Sequence, residues 1–141
     1  MRHKKNTRKL NRDTSHRRCL MANMLKALIV NGRIETTVAK AKVLRSFADK
    51  MITLAKKDTL ASRRSAKAKL MIRQNPLTPK EARAAREGDT KAYNDDRKAL
   101  KTLFSELKER YVDRNGGYTR IVRTGKNRAG DAAPTCLIEY I

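Results

Sequence analysis

The stretch IETTVAKAKVLRSFADKMITLAKK, Ile34 to Lys57, decides the fold. Its first four residues, Ile34-Glu35-Thr36-Thr37, are β-prone and lead without a break into a helical pattern. Threonine suits that hand-over, because its hydroxyl can accept a bond from the first free helix amides. Beyond it, Leu44, Ala48, Met51 and Ala55 recur at steps of three and four, with Phe47, Ile52 and Leu54 beside them. This spacing predicts an apolar stripe along one helix face. Lys42, Arg45, Asp49, Thr53 and Lys56 fall on the opposite face. A strand edge, a half-buried helix and a basic outer surface thus come from one segment.

Working outward, the 141 residues suffice for one domain and are too few for two comfortable ones. The formal net charge is +21 and the pI near 10.7. So much charge of one sign calls for a polyanionic partner, nucleic acid ahead of a membrane surface. No apolar run approaches the roughly 20 residues that span a bilayer, so no membrane span is expected. The basic, polar start has no hydrophobic stretch behind it and does not read as a secretory signal, which places the chain in the cytoplasm or another reducing setting. Cys19 and Cys136 stand alone, with only His3 and His16 as further soft ligands, so no metal site is expected and both read as small buried hydrophobes.

Upstream of the central stretch, Met1 to Arg18 is a basic arm of eight cations against the single anion Asp13. Leu10 is its one strongly apolar residue after Met1 and before Ser15. Such a segment cannot fold on itself but can be ordered along phosphates. A merely solubilising tail would gain nothing from being so one-sided. The first helix is expected from about Ser15 to Val30, capped by Thr14 or Ser15 and ended by Asn31-Gly32, with Leu20, Met24, Ala27 and Leu28 buried.

Downstream, Asp58 or Thr59 can cap a third helix from about Leu60 to Gln74 with a thin apolar face. It carries Arg63, Arg64, Lys67, Lys69 and Arg73, and reads as a second nucleic-acid contact. Asn75-Pro76 stops it, and Thr78-Pro79-Lys80-Glu81 has the form of a capping box opening a short helix to Glu87. A polar link anchored by Tyr93 leads to a helix expected over about Arg97 to Tyr111. Asn115-Gly116-Gly117 is a turn, and Tyr118 to Thr124 and Thr135 to Ile141 read as strands about a long glycine-bracketed loop, Gly125 to Asp131. Which strand is central stays open. The expected architecture is α+β: a small three-stranded sheet, antiparallel or mixed, backed by three to five helices, with an extended basic N-terminal arm. Residues 1–14 form the arm and 15–141 a single domain, with 74–96 a peripheral insertion.

The charge is segregated. Eight of the fourteen carboxylates lie between Glu81 and Asp113, matched there by eight Lys or Arg, which leaves 27 cations against 6 anions elsewhere. The neutral span is therefore expected to face solvent or protein, and the rest to present the polyanion surface. Catalytic alternatives are weak. Gly125 and Gly130 are spaced as in a P-loop, but Asp131-Ala132 replaces the lysine and hydroxyl residue. The aspartates Asp89, Asp95 and Asp96 lie away from the charge a nuclease would use to hold its substrate. His16 has no triad around it and reads as a backbone contact. Tyr118 fits equally a base-stacking platform and a core tyrosine. No helix-turn-helix or heptad pattern is present, which favours folded RNA over a DNA groove.

The chain resembles the family of the seventeenth protein of the bacterial-type large ribosomal subunit. The likeness rests on Met1-Arg2-His3, Asn11-Arg12 with Ser15-His16-Arg17, Ile34-Glu35-Thr36-Thr37 with Lys40-Ala41-Lys42, and Ile52-Thr53-Leu54-Ala55-Lys56. It continues through Arg63-Arg64, Gly116-Gly117-Tyr118-Thr119-Arg120-Ile121, and Arg128 with Gly130-Asp131. The resemblance implies a structural ribosomal protein, no enzyme and no cofactor or small-molecule substrate. It implies binding to large-subunit ribosomal RNA of the 23S class, among neighbouring proteins near the tunnel exit, in ribosomes of the cytoplasm or an organelle. A general DNA-compacting protein is the alternative. The candidate RNA contacts are Arg2, His3, Lys4, Lys5, Arg8, Lys9, Arg12, His16, Arg17 and Arg18 in and beside the arm, then Lys40 and Lys42. Arg63, Arg64 and Lys67 follow on the third helix, and Tyr118, Arg120, Arg123, Lys126 and Arg128 near the C-terminal strands. Compact members of the family pass more directly from the third helix to the helix before Gly-Gly-Tyr, so 74–96 departs from their pattern.

Overall fold

The computed structural model of the chain describes His3 and residues 8–141. In order come α1 (Thr14–Asn31), β1 (Arg33–Thr37), α2 (Val38–Lys57), α3 (Leu60–Lys69), α4 (Pro79–Arg86), α5 (Asp95–Phe104), α6 (Glu106–Arg110), β2 (Thr119–Asn127) and β3 (Pro134–Tyr140). The sheet is antiparallel throughout, in the order β1-β3-β2, so the last strand is the central one. Ile34, Ile138 and Ile121 stand in one row across it. On β3, Cys136, Ile138 and Tyr140 are buried and alternate with residues of the outer face, as a half-covered strand requires.

The α2 stripe is the centre of the core: Leu44, Ala48, Met51, Ile52 and Ala55 have no exposed surface. Burying each larger apolar side chain contributes about 1.5–3 kcal/mol. On its expected outer face, Lys42, Arg45 and Thr53 are exposed, but Asp49 is half-buried and accepts a bond from the Thr119 hydroxyl at 3.2 Å. The α1 face is rotated by about one residue from its expected position. Met21, Ala22, Leu25, Leu28 and Ile29 are its buried set, with Leu20 and Met24 only partly covered, because α1 packs against both α2 and α5. Cys136 is buried but Cys19 is exposed, which corrects its reading as a core residue.

Three boundaries differ from expectation. The third helix ends at Lys69, not Gln74. The Met71 N–H bonds the Ala68 carbonyl and the Ile72 N–H the Lys67 carbonyl, a Schellman closure with Met71 left-handed at φ 51. Both Leu70 and Ile72 are buried, and a continuous helix would carry Ile72 off the core. The last long helix starts at Asp95, where Asn94 caps it, and breaks at Ser105, whose hydroxyl donates back to the Lys101 carbonyl at 2.7 Å. Finally, β2 runs on to Asn127 through a register irregularity after Arg123, so the loop shrinks to 128–133. The α4 capping box forms as expected from Thr78 and Glu81.

Residues 74–96 leave the body and return through a polar clasp. Asn75 Nδ2 donates to the Ala92 carbonyl at 2.9 Å, and Asn94 Nδ2 to the Arg73 carbonyl at 2.8 Å. Arg97 Nη2 donates to the Asn75 carbonyl at 2.7 Å. Asp96 accepts from the Arg73 N–H and pairs with Lys26 of α1 at 2.9 Å. Burial raises the Asp96 carboxyl pKa, but that N–H and the Lys26 ammonium lower it more, so it sits below its usual value. One of the three aspartates weighed for nuclease chemistry therefore ties elements together. Among the described residues no group of three or more His, Cys, Asp or Glu could hold a metal ion.

Candidate nucleic-acid interface

The structure places six of the candidate contacts in two basic grooves that α3 helps to line. On one side lies a groove of about 520 Å³ lined by Arg63, Arg64 and Lys67 of α3 and by Arg97, Lys101 and Phe104 of α5. The Arg63 guanidinium stacks on the Phe104 ring at 4.7 Å and Arg97 on Tyr93 at 5.6 Å. Arg63 also donates from Nε to Asp58 Oδ1 at 2.7 Å, while Lys108 donates to Oδ2 at 2.8 Å. The bond from Lys108 is the first reason the Asp58 carboxyl lies below its usual pKa. Arg64, Lys67 and Lys101 have no carboxylate partner among the described residues. On the other side of α3, a second groove runs between α1, α2 and α3 with Arg8, Arg17, Arg18, Lys50 and Lys69 around it.

The arm's described part turns sharply at Leu10 and Asn11, both left-handed, and Leu10 packs against the core. His3, Arg8 and Lys9 are exposed. Arg12 Nη1 donates to His16 Nε2 at 2.9 Å across one turn, so His16 is a neighbour of the arm's cations. Arg2, Lys4 and Lys5 lie outside the described residues. Lys40 and Lys42 sit two positions apart on α2 and so point to opposite sides of it. Lys40 shares its stripe with Val43, Phe47 and Lys50; Lys42 shares its own with Arg45.

The C-terminal candidates divide. Tyr118 is buried, edge-on to Tyr111 with ring centres 5.2 Å apart, and cannot stack on a base: the core alternative is the correct one. The Tyr111 hydroxyl donates to the Ile141 carbonyl at 2.6 Å, which pins the chain's end beside it. Arg120 faces Glu139 across β2 and β3 and donates to it at 2.7 Å. Arg128 embraces Asp131 with two donors, one at 2.7 Å from Nε. Those bonds, the side-chain bond from Arg128 first, hold the Asp131 carboxyl down to about 2. Arg123 and Lys126 are exposed on β2 and have no carboxylate partner among the described residues.

The outer sheet face is nearly balanced: Arg33 and Arg120 lie against Glu139, and Glu35 lies beside Leu137 and Val122. The one-signed surface is on the helices. Sequence reasoning passed over Lys50, Arg97 and Lys101. Arg97 and Lys101 are four apart on a helix and so share a face, a legible pattern, but averaging charge over 81–113 concealed it.

Comparisons with known proteins give the family. The Large ribosomal subunit protein bL17 of Protochlamydia amoebophila (strain UWE25) is 66% identical over 141 residues, covering 100% of this chain and 99% of that protein. The proteins of the same name from Chlamydia abortus and Chlamydia trachomatis serovar D are 57% and 55% identical with the same coverage. The match spans the whole chain, residues 74–96 included. The profile of Ribosomal protein L17 matches residues 20–141, which takes in every helix and strand except the start of α1, and on both grounds the chain belongs to the ribosomal protein L17 family.

Proposed function

We propose that this chain is a structural constituent of the large ribosomal subunit that binds its ribosomal RNA, of the 23S class, and has no turnover of its own. The observation that carries the reading is the clustering of cations in the fold, which draws Arg97 and Lys101 of the neutral span 81–113 into the basic surface. Among the described residues, two grooves flanking α3 are lined by cations and by no carboxylate. Dispersed cations on a rigid scaffold hold phosphates at many points without reading a groove of DNA. Arg8, Lys9, Arg12, His16, Arg17 and Arg18, with Lys40, Lys42, Arg63, Arg64, Lys67, Arg123 and Lys126, act as phosphate contacts. Arg2, His3, Lys4 and Lys5 extend that set along the arm, residues 1–14. Arg120 and Arg128 reach phosphate only by leaving their carboxylates. The domain 15–141 carries 74–96 as a peripheral elaboration, and neighbouring ribosomal proteins near the tunnel exit meet the balanced sheet face. The protein works in the cytoplasm, bound to ribosomes.

Sedimentation of a cell extract through sucrose tests this. The chain is expected with the large subunit at low salt and released from it at high salt. Removal of residues 1–12 is expected to weaken RNA binding with little loss of helix content. Comparable affinity for duplex DNA and ribosomal RNA at equal ionic strength would contradict the reading.

A further inference from the structure

Two of the large apolar side chains left exposed by the fold, Phe47 at 39% and Met71 at 42%, line the same groove between α1, α2 and α3. Its volume is about 470 Å³, within the roughly 300–1,000 Å³ of sites that enclose small molecules. Met21, Leu25 and Met51, all buried, form its floor. Five cations and no carboxylate surround it. Met71 occupies the left-handed position of the α3 closure, where glycine is the ordinary residue and a side chain is strained. The turn that buries Leu70 and Ile72 also sets the Met71 side chain in the groove wall.

We propose that this groove receives one unstacked base of the bound RNA, with the flanking phosphates on the cationic rim. The inference rests on the RNA-binding reading above and assigns that binding a specific subsite. The Phe47 ring offers a stacking face, and the methionine sulfurs adapt to a flat aromatic guest. Bases splayed from loops and bulges are the usual targets of such slots. A peptide segment apolar enough to fill the floor would carry few carboxylates and leave most of the rim uncompensated. A nucleotide strand brings one anion with every base.

The test uses the full chain, the Met71→Gly and Phe47→Ala variants, and large-subunit ribosomal RNA probed with base-modifying reagents. Wild type is expected to protect one or a few unpaired nucleotides that regain reactivity with either variant. Phe47→Ala should lower affinity roughly tenfold, the scale of one lost base stack. Met71→Gly should melt no lower than wild type, since glycine relieves the left-handed strain, so its loss of protection cannot be a loss of fold. Unchanged protection and affinity in both variants would overturn the subsite and leave RNA binding standing. Failure of wild type to bind the RNA would remove both readings. Unchanged RNA protection with loss of a neighbouring protein from subunits assembled with the variants would make the groove a protein-docking site and refute the proposal.

Discussion

Arg128 shows how little a residue's type says about its availability. In the sequence it is one more cation in a glycine-bracketed segment; in the fold it is held by Asp131 three residues on, in the short loop between β2 and β3. Asp131→Asn is expected to release it and to strengthen RNA binding, with about one more counterion in the slope of affinity against salt. Titration of binding across ionic strength checks this, and an unchanged slope would show that Arg128 does not reach phosphate. The pair also has a pH signature. The Asp131 carboxyl is depressed from 3.8 to about 2, so its contribution is fully present above 3.8 and disappears as pH falls toward 2. Tyr118 teaches the converse lesson. Two preceding glycines and a following arginine suit a stacking platform, yet the ring is in the core. Nothing local could decide that, because Tyr111, which it meets edge-on, packs in turn on Tyr140 from the last strand.

For the elements, existence was more legible than their ends. The α2 stripe, the α4 capping box and the glycine stop of α1 were all readable, since each depends on residues within one or two turns. The caps of α1 and α2 were not. Asp13 precedes α1 and Thr37 precedes α2 without a side-chain cap bond, whereas Thr59 accepts from the Ser62 N–H at 3.1 Å. Thr59→Ala is therefore expected to cost about 1 kcal/mol and Thr37→Ala clearly less. Urea unfolding of the two variants compares them directly; equal losses would count against the hydrogen-bond account. The early stop of α3 had no local punctuation, because the residue at its left-handed turn is methionine. Burial of Leu70 and Ile72 on the core is what bends the chain there.

Across the whole molecule, the net charge of +21 pulls stability and function in opposite directions. Repulsion among the cations weakens the free chain, and phosphate relieves it. Added salt is thus expected to raise the melting temperature of the isolated protein while lowering its affinity for RNA. At 0.1 M the screening length is about 10 Å, so repulsion between exposed cations farther apart than that is largely removed. Calorimetry and binding over one salt series give both trends; a melting temperature that fell with salt would mean that ion pairs, not repulsion, dominate. Asp58 and Asp96 do join separate helices, but such pairs are few beside the cations that have no carboxylate partner among the described residues.

The sequence by itself determined the class of the fold, the central helix and the sign of the charge, and hence the polyanionic partner. Those follow from periodicity and composition, which are local or additive and survive without coordinates. Tertiary structure alone decided that β3 is central, that Tyr118 is buried, and which cations are held by carboxylates. It also brought Arg97 and Lys101 beside the cations of α3, and Lys50 beside Arg17 and Arg18. Apart from local ion pairs such as Arg128 with Asp131, these depend on residues far apart in the chain, whose meeting is set by how the core packs and not by anything in their own neighbourhoods.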